Sequence, residues 1–287
     1  MRIFHLSDLH IGKQLYLYSL YDVQKAILCQ ILEKMDQYAP DVVLICGDIY
    51  DKSVPSAEAY HLFDWFLKQL ADRKPRIPVL IIAGNHDSAE RLQYASRFLE
   101  EHGIFIAAYP PKKEGECIRK LCLSDENGEV NFYLLPFLKP GHVRHLFPEG
   151  VVTDYTSAVQ AVLSLSDVDE TKRNVLLAHQ FFVNGSKQPE TCESEQTTLS
   201  VGGLDSVDVS AVMQFDYVAL GHLHGRQSIG APHIRYCGTP LKYSVSEAGH
   251  NKSITMVTLG EKGTPVEIQE IPLAALQDVR RERGLLK

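Results

Sequence analysis

Five short clusters of acid, amide and imidazole side chains punctuate the chain: Asp8-Leu9-His10, Gly47-Asp48, Gly84-Asn85-His86-Asp87, His179 and Gly221-His222-Leu223-His224. Apart from the lone His179, each begins where an apolar, β-branched run stops. Ile3 to Leu6, Val42 to Ile45, Val79 to Ile82 and Tyr217 to Leu220 lead into four of them, and Val175 to Leu177 lies just ahead of His179. Side chains at these positions emerge from strand ends. In α/β sheets the carboxyl ends of neighbouring strands converge on one crevice, where ligands bind. Acids, an amide and several histidines gathered there can hold a pair of divalent ions, a device for phosphoester hydrolysis that clamps both the attacking and the leaving oxygen. Any one cluster is weak evidence, since Asp-x-His and Gly-Asp recur by chance. The ordered set is specific.

The runs between the clusters fix the fold class. Val23, Ala26, Ile27, Ile31 and Met35 trace a helical stripe that Pro40 ends, and Ala59, Leu62, Phe63, Phe66 and Leu70 trace a second one opened by Ser53 and Pro55. Ser88 reads as the N-cap of a third helix ending near Gly103. Alternation of strand and helix over the first hundred residues predicts a mostly parallel sheet. Beyond it, 117–123 and 130–137 read as a hairpin around residues 125–129, 153–165 as a helix, and the stretch from Tyr217 to Ile271 as strands alone, predicting a second sheet packed on the first. Residues 184–203 are polar and aperiodic, and read as a loop flanking the site, with a plain surface excursion as the alternative.

A chain of 287 residues with 45% apolar and 23% charged residues has the composition of a soluble globular protein. It contains no apolar run of eighteen residues, and it opens directly on a strand; no membrane span, no signal peptide and a cytoplasmic location are expected. The six cysteines form no Cys-x-x-Cys pair and read as small core residues. A net charge of −7 argues against polyanion binding over the whole surface, yet leaves open an enzyme whose bound cations reverse the local field.

These residues resemble the calcineurin-like metallophosphoesterase superfamily over essentially the whole chain. The likeness is closer to one branch, the SbcD-type nuclease subunits of bacterial SbcC–SbcD DNA-repair complexes. It is carried by Ser7 to Gly12 (SDLHIG), Gly47 to Pro55 (GDIYDKSVP), Ala83 to Ser88 (AGNHDS), Ala178-His179-Gln180, Tyr217 to His224 (YVALGHLH), Ile234 to Leu241 (IRYCGTPL) and Ser246-Glu247. The resemblance implies an α/β fold, a four-layer αββα sandwich of two mixed sheets flanked by helices, with a nuclease domain over 1–275. Residues 276–287 would begin a C-terminal extension, whose further parts in the family shape the DNA cleft and grip the SbcC ATPase.

The resemblance also implies a two-manganese site. Asp8, His10, Asp48 and His224 would hold one ion, and Asp48, Asn85, His179 and His222 the other, with Asp48 bridging. Such a mixed imidazole and carboxylate set suits manganese, iron or zinc, whereas an all-oxygen magnesium site would not use four histidines. His86 would be the acid on the leaving oxygen, with Asp51 orienting its ring, and Asp87 would brace the loop. Many archaeal and eukaryotic relatives carry histidine at the position of Asp51.

The substrates implied are double-strand DNA ends, attacked as a 3′–5′ exonuclease, and single-stranded DNA, cut endonucleolytically. A homodimer is expected as well. Tyr60, Trp65 and Leu67 on the second helix and Leu92, Tyr94, Phe98 and Leu99 on the third are surplus to one core-facing stripe, and the family pairs through helices of this region. The other histidines, His5, His61, His102, His142 and His145, read as structural or surface groups. Lys139, Arg144 and His145 read as a solvated face, since the sequence shows no regular basic and aromatic interleaving, with a minor DNA contact as the alternative. The rival functions are a small-substrate phosphoesterase on the same site and a non-catalytic scaffold of the same fold.

Overall fold

The computed structural model describes residues 1–196, 205–282 and 284. Two six-stranded sheets carry the fold. In the first, Arg2–Leu6, Val42–Cys46, Val79–Ile82 and Ile104–Ala107 run parallel in that order, and Ser253–Thr258 joins Arg2–Leu6 antiparallel, with Glu267–Pro272 outside it. In the second, Gly128–Leu135, Arg173–His179, Tyr217–Gly221 and Ala231–Tyr236 are parallel neighbours. Arg119–Asp125 and Gln227–Ile229 close its two edges antiparallel.

The apolar runs are continuous because both faces of each sheet are covered. Val42, Leu44, Leu80 and Ile82 alternate inward to meet Phe132, Leu134, Val175 and Leu177 of the other sheet. Val43, Ile45, Val79 and Ile81 face outward, under Ile27 and Ile31 of helix Tyr21–Tyr38 and Leu62 and Phe66 of helix Ala57–Ala71. Across the molecule, Ala158, Val159 and Val162 of helix Tyr155–Ser164 cover Leu176 and Val218. Helix, sheet, sheet, helix is the four-layer order expected.

Three expectations need correction. The strand-only tail does not build the second sheet alone: Ser253–Thr258 and Glu267–Pro272 complete the first sheet, because Arg2–Leu6 offers it an open edge. The helix expected from Ser88 to Gly103 is two short pieces, Ala89–Leu92 and Ser96–Glu100, broken where Ala95 takes a left-handed backbone (φ 58°). The surplus apolar residues Tyr60, Trp65, Leu67 and Leu99 pack against the core, and Leu92 lies within it; Tyr94 and Phe98 remain 82% and 63% exposed. Of the expected loop 184–203, Glu193–Gln196 forms a helical turn, and 197–204 lies outside the described residues. Among the described residues no helix is long and apolar enough to cross a membrane.

Candidate metal centre

All nine candidate residues meet at the carboxyl ends of strands from both sheets. Asp8 and His10 follow Arg2–Leu6, Asp48 and Asp51 follow Val42–Cys46, Asn85 and His86 follow Val79–Ile82, His179 ends its strand, and His222 and His224 follow Tyr217–Gly221. The loops are laced side by side: the Asp8, His10 and Ile11 amides donate to the Gly47, Asp48 and Ile49 carbonyls at 2.9, 3.0 and 2.9 Å. Four of these residues hold positive φ, namely Asp8 (52°), His10 (43°), Asp48 (50°) and His222 (101°). Such a backbone costs a non-glycine residue on the order of 1–3 kcal/mol and tends to cluster at functional sites.

The ring protons are assigned by their outer partners. His179 Nδ1 lies 2.7 Å from the Cys46 carbonyl, which can only accept; Nδ1 is therefore a donor and Nε2 is the nitrogen that points inward. His86 Nδ1 donates likewise to the Asp51 carbonyl at 2.9 Å. His224 Nδ1 faces the Glu247 carboxylate at 3.1 Å. The inner nitrogens then crowd acceptors. His10 Nε2 and His224 Nε2 are 3.2 Å apart, and His179 Nε2 and His222 Nδ1 lie 3.1 and 3.0 Å from Asn85 Oδ1. Asp48 Oδ2 stands between the two groups, 3.7 Å from His10 Nε2 and 3.4 Å from His179 Nε2. Asp8, His10 and His224, and again Asp8, Asp48 and His179, bring donor atoms within 4.8 Å of one another. Ring nitrogens, a carboxylate and an amide oxygen converging at this range, with the outer nitrogens of His179 and His224 pinned, are a donor set that fits divalent cations once any ring proton is displaced.

Asp51 differs from the expected geometry. It holds His86 through its backbone carbonyl, while its carboxylate pairs with Lys13 at 2.8 Å and lies 3.6 Å from His10 Nδ1. A carboxylate oxygen of Asp51 still lies within 4.8 Å of ring nitrogens of both His10 and His86, so Asp51 stands beside both rings. Asp87 braces the loop, accepting the Ile49, Tyr50 and Gly84 amides at 3.1, 3.0 and 2.9 Å.

The support behind His224 is not visible in the sequence. Glu247, fully buried, also accepts from Lys252 Nζ at 2.6 Å, Ser194 Oγ at 2.9 Å and the Tyr243 amide at 3.2 Å, and Glu195 accepts the His224 amide. Burial alone would raise the Glu247 carboxyl, but His224 and Lys252 hold it well below the usual carboxylate range. In the sequence, Ser246-Glu247 reads only as a family marker.

The charges are coupled. Burial disfavours protonated His179, yet the Asp48 carboxylate outweighs it and lifts the ring to about 9. Burial and the neighbouring His179 push His222 down to about 3. Below pH 9, His179 thus carries a proton that a cation must displace. Affinity for manganese is expected to rise with pH, roughly tenfold per unit for each displaced proton, and to level off near pH 9. Calorimetric titration at pH 7.5 in two buffers of different ionisation heat reads the protons released; zero release contradicts this linkage.

Comparison with known proteins comes to the same fold. The family model described as calcineurin-like phosphoesterase matches residues 1–226. The SbcD subunit of the SbcCD nuclease of Staphylococcus epidermidis is 34% identical over 286 residues, covering 99% of this chain and 72% of that protein. A crystal structure of a dimetal phosphatase from Danio rerio aligns over 98% of both chains with a TM-score of 0.54 at 13% identity, a likeness of fold alone.

Proposed function

The chain belongs to the calcineurin-like phosphoesterase family, and from that premise we propose that it is a metal-dependent DNA phosphodiester hydrolase, working with an SbcC-type ATPase in DNA repair and recombination. The observation that carries the reading is the convergence of ring nitrogens, with His10 and His179 beside Asp48, His179 and His222 on Asn85, and His224 against His10. The 34% likeness to a nuclease subunit supports DNA as the substrate, with 3′–5′ exonuclease action on duplex ends and endonuclease action on single strands.

In this reading Asp8, His10, Asp48 and His224 hold one ion and Asp48, Asn85, His179 and His222 the other, manganese being the choice that suits the imidazole-rich set. Two such ions, when bound, would stabilise charge on the attacking and leaving oxygens. The protein fixes the rest. Asp48 Oδ1 accepts the His86 amide at 2.9 Å, tying the acid's backbone to the central carboxylate. The His86 side chain is 25% exposed and its Nε2 is not the nitrogen bound to the Asp51 carbonyl; in this reading that nitrogen protonates a departing sugar oxygen. Glu247 and the Cys46 carbonyl keep His224 and His179 turned so that Nε2 faces inward.

Chelator is expected to abolish hydrolysis of labelled single-stranded and duplex DNA, with manganese restoring it better than magnesium. Bis-p-nitrophenyl phosphate, a generic aryl diester, serves as the comparison. Full activity in excess chelator removes the metal reading, and aryl diester turnover without DNA cutting favours a small-substrate phosphoesterase. A homodimer through exposed Tyr94 and Phe98 belongs to the same proposal. Light scattering of the same preparation at micromolar concentration reads it, and a monomer mass unchanged by Phe98→Glu discards it.

A further inference from the structure

Two cavities flank the candidate metal centre and share one wall. A cavity of about 460 Å³ runs along one side of Asn85, and a smaller one of about 210 Å³ runs along the other. Asn85, Phe137 and Lys139 line both, so Phe137 stands at the divide, next to the amide that faces His179 and His222. The larger cavity adds Tyr109 and Lys112 from one loop and His142 from the short helix Pro140–Val143.

These residues combine rings and cations in a repeated way. Lys112 Nζ lies 3.1 Å from the Tyr109 ring centroid and Lys139 Nζ 5.7 Å from that of Phe137. Among the described residues neither lysine is ion-paired with an acid, on a chain of net charge −7. The backbone that carries the Phe137 ring is tied on both sides. Its amide donates to the Ala83 carbonyl at 2.9 Å, the Leu138 carbonyl accepts from Gln180 at 2.8 Å, and the ring meets His179 edge-on at 6.4 Å. A half-buried aromatic face beside unpaired lysines is what an unstacked base and its phosphates require. A duplex keeps its bases stacked and offers none to such a ring.

We propose that the Phe137–Lys139 segment is a single-strand subsite, in which a base beside the scissile phosphate stacks on Phe137 while Lys139 holds a neighbouring phosphate. Tyr109 with Lys112 serves the next nucleotide along the larger cavity. This rests on the phosphodiesterase reading above and adds how the substrate strand is held: the end of a duplex must fray before it reaches the centre.

The test uses the full chain and a twelve-nucleotide single strand carrying one 2-aminopurine, whose fluorescence is quenched by stacking, with chelator present to prevent cleavage. Binding is expected to quench the probe. Phe137→Leu, which keeps an apolar side chain against His179, is expected to lose the quenching and weaken binding roughly 5- to 150-fold, the loss of one base–aromatic stack. Lys139→Gln, at an exposed position, is expected to lower the slope of log Kd against log salt by about 0.7. Wild-type quenching and affinity in Phe137→Leu, an unchanged salt slope in Lys139→Gln, or tighter binding of the matching blunt duplex without quenching would each overturn the subsite. Hydrolysis of bis-p-nitrophenyl phosphate by the unmutated protein separates the two readings. If it persists when the subsite fails, the phosphoesterase reading stands; if it is absent, that reading fails first.

Discussion

Replacing His86 by alanine is expected to leave metal stoichiometry unchanged and to slow diester hydrolysis by on the order of a hundredfold or more, the usual worth of a positioned acid. Asp48→Ala is expected to lose metal and activity together. The difference follows from where the two groups stand. His86 Nε2 is 3.9 Å from Asp48 Oδ2 and on the open side of the site, while its Nδ1 is committed to the Asp51 carbonyl. The Asp48 carboxylate is 2% exposed, pulled well below the ordinary aspartate range by His179, His10 and His86 against the cost of its burial. Removing it leaves several imidazoles competing for one another's lone pairs with no anion to hold cations. Metal content by atomic absorption, read beside the rate on labelled DNA, decides the assignment. If His86→Ala also empties the site, His86 belongs among the ligands and the acid must be sought elsewhere. Asp51→Asn should then be compared with it: since the carboxylate pairs with Lys13 and lies beside the rings of both His10 and His86, its effect is expected on metal binding and on the rate together.

Much of this site is legible in the sequence because its ligands are local to strand ends. An apolar run that stops at Asp8, Asp48, Asn85 or His222 announces both the strand and the side chain at its tip, and parallel strands share one end. What stays hidden depends on contacts between distant segments. Glu247 lies 23 residues from His224 and reaches it only after the Val245–Glu247 turn folds back beneath the loop. Nothing in the spacing marks that closure. The sheet membership of Ser253–Thr258 is equally unreadable, since a strand carries no label for the edge it will find. The helix break at Ala95 is hidden for another reason: no glycine or proline stands there to mark the left-handed turn. The paired rings and lysines at Tyr109–Lys112 and Phe137–Lys139 show no period along the chain, because the interleaving exists only where the two loops line one cavity.

Gly221→Ala is expected to cost more than any comparable one-carbon change in this protein, although Gly221 bears no functional group. A β-carbon there would sit 1.9 Å from the Cys46 carbonyl oxygen and 2.7 Å from His179 Nδ1. That carbonyl is the acceptor that pins the His179 tautomer, and Gly221 pairs directly with His179 in the parallel register of the second sheet. The obstacle is backbone from the opposite sheet, so no side-chain rotation relieves it. The sheets must part where their carboxyl ends come closest, and the ligands on both sides move with them. Overpacking against a side chain that can yield costs about 1–3 kcal/mol; against backbone we expect the upper end or beyond, a fall in Tm on the order of 6–12 °C. Gly84→Ala should behave alike, its β-carbon landing 2.1 Å from Asp48 Oδ1. Gly141→Ala, with nothing within 4 Å, is the control and should leave Tm within about a degree. Thermal unfolding of the metal-free proteins and calorimetric manganese titration read both parts. A Gly221→Ala protein as stable as the parent, binding manganese equally well, would mean that the two sheets do not close on each other through this glycine, and that the His179 ring is held by something other than the Cys46 carbonyl.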